Sequence, residues 1–247
     1  APGHPAGHRT AAWLAALPPE PLSVLDAANR IIAWRSLQAW GYDPTPFSSF
    51  LREAVLRIIL PGRGHASPQT SRISAYQTFL AALCLDEVAA PFPAKEQAVA
   101  RIASLQQVDG GFVEREGETT SQTSATAAAV AFLIMQQAHS REQAAQAAAF
   151  LETMQAPDGG FRAHPRAPGS DLLSTYTALV SLGFAATLDN VDLPAVARFV
   201  RACAVPNGGF TAVPNDTEPD VEYTYYGVAT LSLLAAQLPG LNRAGHP

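Results

Sequence analysis

The chain has 247 residues, 48% of them hydrophobic and 15% charged, with a net charge of −5. That length supports a large core, and the balance excludes both a disordered chain and a basic surface for nucleic acid. Two widely separated cysteines, Cys84 and Cys203, exclude a disulfide framework or a self-contained zinc knuckle, and the longest apolar run, 127–135, is far short of the roughly 20 residues that span a bilayer.

The first segment, APGHPAGHRT, is polar and rich in Pro and Gly, and it lacks the apolar core of a signal peptide. Residues 1–20 are therefore expected to form a flexible arm, with 21–247 as a single domain. The cysteine usage and the missing leader pattern make a cytoplasmic location the expectation. Helices are predicted near 22–41, 46–60 and 71–86.

From residue 94 onward the chain repeats. VDGGF, PDGGF and PNGGF place Gly110, Gly159 and Gly208 at intervals of 49, and Thr126, Thr175 and Thr224 keep the same register. So do Ile102, Leu151 and Val200, and Leu133, Leu182 and Leu231; Asp171 and Asp220 coincide, with Gln122 in the remaining copy. A fainter copy upstream places Thr78 and Leu85 before Thr126 and Leu133 at an interval of 48. Recurrence at such a period marks an array of identical structural units. The units fall at about 50–93, 94–138, 141–187 and 192–238.

Each unit begins with an amphipathic helix. REQAAQAAAFLETMQ sets Ala147, Phe150, Leu151 and Met154 on one face. Asp/Asn-Gly-Gly stops it, because glycine tolerates positive φ after a helix end. A loop carrying Pro, Gly, Ser and acids follows, then a second helix (TSATAAAVAFLIM, STYTALVSLGFAATL, YTYYGVATLSLL) with almost no polar face, predicted to be buried all round. The fold class is all-α, roughly ten helices in an outer amphipathic and an inner apolar row. No strand signal is present.

The period, the GGF turn and a buried helix opening with Asp and Thr resemble the prenyltransferase/squalene-cyclase repeat, most closely the β subunits of geranylgeranyl- and farnesyltransferases. PNGGFTAVPNDTEPDVEYTYYGVATLSLL is similar to their last repeat, and PDGGFRAHPRAPGSDLLSTYTALVSL to the one before it. The resemblance covers about 94–238 well and 50–93 loosely. It implies an α/α toroid whose inner helices line an apolar cavity. About five of the usual six helix pairs are visible, so the ring is expected to be incomplete or closed by a partner.

In the protein prenyltransferases a zinc ion held by Asp, Cys and His activates the acceptor thiol. The matching positions here are Asp171, Leu173 and Tyr223, so one ligand of three remains and neither a metal nor another cofactor is expected. The family's diphosphate-binding basic residues correspond to the loop carrying Arg162, His164 and Arg166, which is either an anion site or a solvated surface. The terpene-cyclase branch protonates an alkene with a DxDD acid, and Asp220-Val221-Glu222-Tyr223 occupies a comparable place. Asp220, Glu222 and Tyr223 are thus candidate catalytic residues, since a buried acid has a raised pKa and can donate a proton. Asp171 and Asp220 equally suit helix N-caps. Tyr176, Tyr225 and Tyr226, with Asp171, His164 and Arg166, are candidate ligand contacts, the tyrosines being either an aromatic wall or packed core. Cys203 shares register with Leu105 and Met154, which makes it a core residue.

The implied functions are two. One is a zinc-independent binding or assembly subunit for a hydrophobic, isoprenoid-like molecule or a lipidated or helical protein segment, with a second subunit as partner. The other is a zinc-independent enzyme, transferase or cyclase, acting on an isoprenoid diphosphate.

Overall fold

The computed structural model describes residues 5–18, 23–42 and 74–237. Compact packing divides the chain into two units, 1–100 and 101–247.

In the first unit α1 (Pro5–Ala16) lies on α2 (Val24–Ala39), which lies on α3 (Ala75–Glu87). Residues 5–16 of the segment expected as an arm form α1. The reason is apolar contact that its polar, Pro-rich start conceals: Leu14 is buried with Trp34 and Leu37 of α2. Ala27, Ala28 and Ile31 of α2 pack on Leu80, Cys84 and Leu85 of α3. Ser23 and Ser74 cap α2 and α3 by accepting the backbone N–H of Asp26 and Gln77. The helix expected at 46–60 lies outside the described residues. α4 (Lys95–Ala103) spans the boundary between the units.

The second unit is built from the repeats. Its inner helices α5 (Thr123–Met135), α7 (Leu172–Phe184) and α9 (Val221–Gln237) pack in a row, α5 on α7 and α7 on α9. The amphipathic α6 (Arg141–Thr153) packs on α5 and α7, and α8 (Leu193–Ala202) packs on α9. Phe150, Leu151 and Met154 join Leu172, Leu179, Leu182, Phe199, Val200 and Cys203 in one core. Burial of Cys203 with its register mates Leu105 and Met154 agrees with the sequence reading.

Two expectations are corrected here. A pair of two-residue strands, β1 (Phe161–Arg162) and β2 (Ser170–Asp171), closes the loop of the second repeat antiparallel. These strands are too short to give a period-two pattern. α9 is not buried all round: Val221, Tyr225, Val228 and Leu233 are exposed. Its apolar composition suits a helix flanked on both sides, and among the described residues only one side is flanked.

The turn itself is held by side chains in fixed register. Asp109 accepts the N–H of Gly111 at 3.0 Å and the hydroxyl of Ser121 at 2.7 Å. Asp158 does the same for Gly160 and Ser170 at 3.1 and 2.7 Å. In the third copy Asn207 and Pro219 stand at these places. Gln106 and Gln155 donate to the carbonyls of Gly110 and Gly159 and, at 3.3 and 3.2 Å, to Gln143 and Asp192 of the following repeat.

Candidate functional site

The starts of α7 and α9 bring most of the candidate residues together. Asp171 caps α7: one carboxylate oxygen accepts the Ser174 N–H at 2.7 Å and the other accepts the Ser174 hydroxyl at 2.8 Å. Asp220 performs the same task for α9, accepting the Tyr223 N–H at 2.8 Å. Both acids therefore satisfy N–H groups that the first turn of a helix leaves open.

Above these caps sit four tyrosines. Tyr176 stacks on Tyr226 with ring centroids 5.4 Å apart and meets Tyr225 edge-on at 5.7 Å. Tyr226 also meets Tyr223 and Tyr225 edge-on, at 6.1 and 5.6 Å. The phenol oxygens of Tyr176 and Tyr225 lie 3.3 Å apart in a hydrogen bond, and the Tyr226 hydroxyl donates to Glu222 Oε1 at 2.9 Å. Burial, then the hydrogen bond to Tyr225, raises the Tyr176 pKa beyond its ordinary value, so this phenol stays neutral. Burial also raises that of Tyr223, followed by the negative charges of Asp171, Glu222 and Asp220. That ordering places Tyr223 within electrostatic reach of both caps.

Glu222 and Asp220 are exposed, which corrects the expectation of a buried acid. Among the described residues of this unit, no element covers that side of the first turn of α9. The Tyr226–Glu222 pair was not visible as a bond in the sequence, although its spacing of four residues on one helix is the signal that could have found it.

The loop after the second GGF turn carries Arg162, His164 and Arg166. The Arg166 guanidinium donates to Thr120 Oγ1 at 2.6 Å, tying this loop to that of the preceding repeat. Arg162 Nε and His164 Nδ1 are buried nitrogens without a hydrogen-bond partner. Such groups are uncommon in folded proteins, and of the two the Arg162 Nε–H is a donor that lacks an acceptor.

The zinc ligand set of the prenyltransferases is kept at one of its three matching positions. At the three positions that hold zinc in the prenyltransferases stand an aspartate whose oxygens are both engaged by Ser174, a leucine (Leu173) and a phenol (Tyr223). Among the described residues no group of three or more His, Cys, Asp or Glu side chains is placed to hold a metal ion. Nor, among them, is any helix long and apolar enough to cross a membrane.

Residues 50–245 match the family model of the prenyltransferase alpha-alpha toroid domain. The chain belongs to this family. A similar solved structure is that of Candida albicans protein geranylgeranyltransferase-I complexed with GGPP, at 20% identity and a TM-score of 0.58, covering 65% of this chain and 49% of that one. Another is a type II terpene cyclase from Scytonema in complex with geranylgeranyl dihydroxybenzoate, at 16% identity and a TM-score of 0.50, covering 82% of this chain and 63% of that one. The chain thus spans about half to three-fifths of these toroid proteins, and at such identities the likeness concerns the fold. A sequence comparison with curated proteins finds no match.

Proposed function

We propose that this toroid chain binds an isoprenoid-like hydrophobic ligand along the tyrosine wall of α7 and α9, without zinc, as a binding or assembly subunit. The observation that carries the reading is the stacked Tyr176–Tyr226 pair flanked by Tyr223 and Tyr225. Aromatic rings offer broad apolar area with little rotamer entropy to lose, and each stacked or edge-on pair among them contributes about 0.5–1.5 kcal/mol to holding the wall in place. The phenol oxygens are tied to one another and to Glu222, so the rings are held in place before a ligand arrives. Arg162 Nε, a buried donor without an acceptor, suits an anionic head group, with the unpartnered His164 Nδ1 in the same loop. Two members of the fold class carry geranylgeranyl compounds in their solved complexes, which supports the ligand class.

A second reading, a zinc-independent enzyme acting on an isoprenoid diphosphate, is favoured by one observation: Glu222 shares a proton-bearing hydrogen bond with Tyr226 beside the wall. In that bond Glu222 is the acceptor, and it lies exposed, so it is not set as an acid buried against an alkene. Binding without turnover is therefore the leading reading.

Titration of the purified chain with a fluorescent geranylgeranyl diphosphate, with and without EDTA, tests it. Saturable binding unchanged by EDTA, weakened about tenfold by Tyr176→Ala, is the expected result. Absence of binding to geranylgeranyl and farnesyl diphosphates and to a geranylgeranylated peptide sinks it. Product formation from the diphosphates selects the second reading.

A further inference from the structure

Asp109 and Asp158 stand before the first glycine of two turns, and Asn207 stands before that of the third, in the only Asn-Gly pair of the chain. An asparagine in this setting is chemically labile. Glycine has no Cβ to keep its nitrogen from the carboxamide carbon of the residue before it. Whether that approach occurs depends on what holds the side chain.

At Asp109 and Asp158 the side chain is held. Oδ1 accepts the N–H of Gly111 or Gly160, at 3.0 and 3.1 Å, and the hydroxyl of Ser121 or Ser170, at 2.7 Å in both turns. Neither restraint reaches Asn207. Pro219 stands in register with the two serines and has no hydroxyl to give. Gly209 takes a positive φ of +93°, which Gly111 and Gly160 do not. Among the described residues the Asn207 carboxamide makes no hydrogen bond. The attacking nitrogen is placed alike in the three turns: Gly110, Gly159 and Gly208 donate to Gln107, Ala156 and Val205 at 3.0, 2.9 and 3.0 Å. The difference therefore lies in the side chain. Water reaches it, and this is not peculiar to the third turn: Asp109 and Asp158 are exposed as well, although a further repeat packs beside each of them.

We propose that Asn207 is a site of spontaneous deamidation. The Gly208 nitrogen loses its proton to water and attacks Asn207 Cγ. The bond from Cγ to the side-chain nitrogen breaks, and that nitrogen leaves as ammonia with the proton returned to it. Water then opens the five-membered succinimide. Attack at Cγ gives aspartate, and attack at the main-chain carbonyl carbon gives isoaspartate. One water is consumed, one ammonia is released, no oxidant or reductant takes part, and one negative charge is added to the −5 of the chain. The aspartate product gives the third turn the PDGGF of the second. The isoaspartate product lengthens the main chain inside the ring that the Val205 N–H closes on the Gly209 carbonyl at 3.1 Å. Phe210, which follows, bridges Ala204 and Asp220 and donates its N–H to Thr224 Oγ1. Isoaspartate therefore loosens the anchor of α9. The inference is independent of the ligand reading.

The test is peptide mass mapping of the purified full chain kept in warm, mildly alkaline buffer, with fragmentation that separates aspartate from isoaspartate. Conversion at Asn207 is expected at least about tenfold faster than at Asn190 or Asn215. Asp158→Asn gives the second turn the same five residues as the third, PNGGF, so only the surroundings differ. In the folded chain this variant position is expected to convert about tenfold more slowly than Asn207, because the bonds from Gly160 and Ser170 have to be given up first. In urea the two positions are expected to convert at one rate. Asn207→Gln is expected to remove the acidic form seen on isoelectric focusing. Where circular dichroism shows that Asp158→Asn does not fold, Asp109→Asn makes the same comparison. An Asn207 that converts no faster than Asn190 and Asn215 overturns the proposal, as do equal folded-state rates in the second and third turns.

Discussion

The Thr175 hydroxyl accepts the backbone N–H of Phe161 at 2.9 Å while donating to the carbonyl of Asp171 at 2.7 Å. One side chain thereby fastens the GGF turn to the first turn of the inner helix. Thr126 forms the same latch with Phe112 and Gln122, at 2.8 and 2.7 Å, and Thr224 accepts from Phe210 at 3.1 Å.

Removing that acceptor strands a buried N–H. Thr175→Val is expected to cost about 1–3 kcal/mol, the range for a buried donor left unpaired. Thr175→Ser retains most of the stability. Thr224→Val costs less, because Phe210 is only partly buried and water can replace the hydroxyl. Urea denaturation of the three variants checks the ordering.

Gly159 and Gly117 separate backbone strain from crowding. Both have positive φ, +95° and +88°, but only at Gly159 would a methyl group strike a neighbouring carbonyl. Gly117→Ala is expected to cost about 1–2 kcal/mol from conformation alone. Gly159→Ala adds displacement of α8 from the turn and unfolds at lower denaturant than Gly117→Ala.

Asp171 acts as a cap, so its amide analogue should serve. Asn accepts the same N–H, and Asp171→Asn is expected to change stability little, while Asp171→Ala costs about 0.5–2 kcal/mol. Elemental analysis should show no loss of bound zinc in either variant. Zinc bound stoichiometrically by the native chain and released by Asp171→Asn is the contrary outcome.

The two cysteines, with the buried phenols, contribute to behaviour at alkaline pH. Burial, with Glu87 beside Cys84 and Asp158 and Asp171 near Cys203, pushes both thiols from 9.0 to about 12. A folded thiol that keeps its proton longer than the unfolded one stabilises fully below pH 9, and this contribution falls as pH rises from 9 toward 12. Thermal melts across that interval should show the decline, and Cys203→Ala should reduce its steepness. At pH 8 both thiols should resist Ellman's reagent until the chain unfolds.

The interval of 49 residues, the glycine stops and the apolar second helices were enough to fix the helical hairpins in the sequence. α5 ends where its apolar run does, and α6 starts at Arg141 directly after the Ser140 cap. These features are legible because they depend on neighbours within one turn of helix. The caps at Asp171 and Asp220 were legible for the same reason. What surrounds each helix was not. Nothing in VEYTYYGVATLSLL tells which of its residues a neighbouring element covers, yet Glu222 and Val221 are exposed while Gly227, Thr230 and Leu234 are buried. Nor does HRTAAWLAAL reveal that Leu14 will find Trp34 and Leu37 and turn an expected arm into α1. Burial is a property of what arrives from elsewhere in the chain, so only tertiary structure decides it.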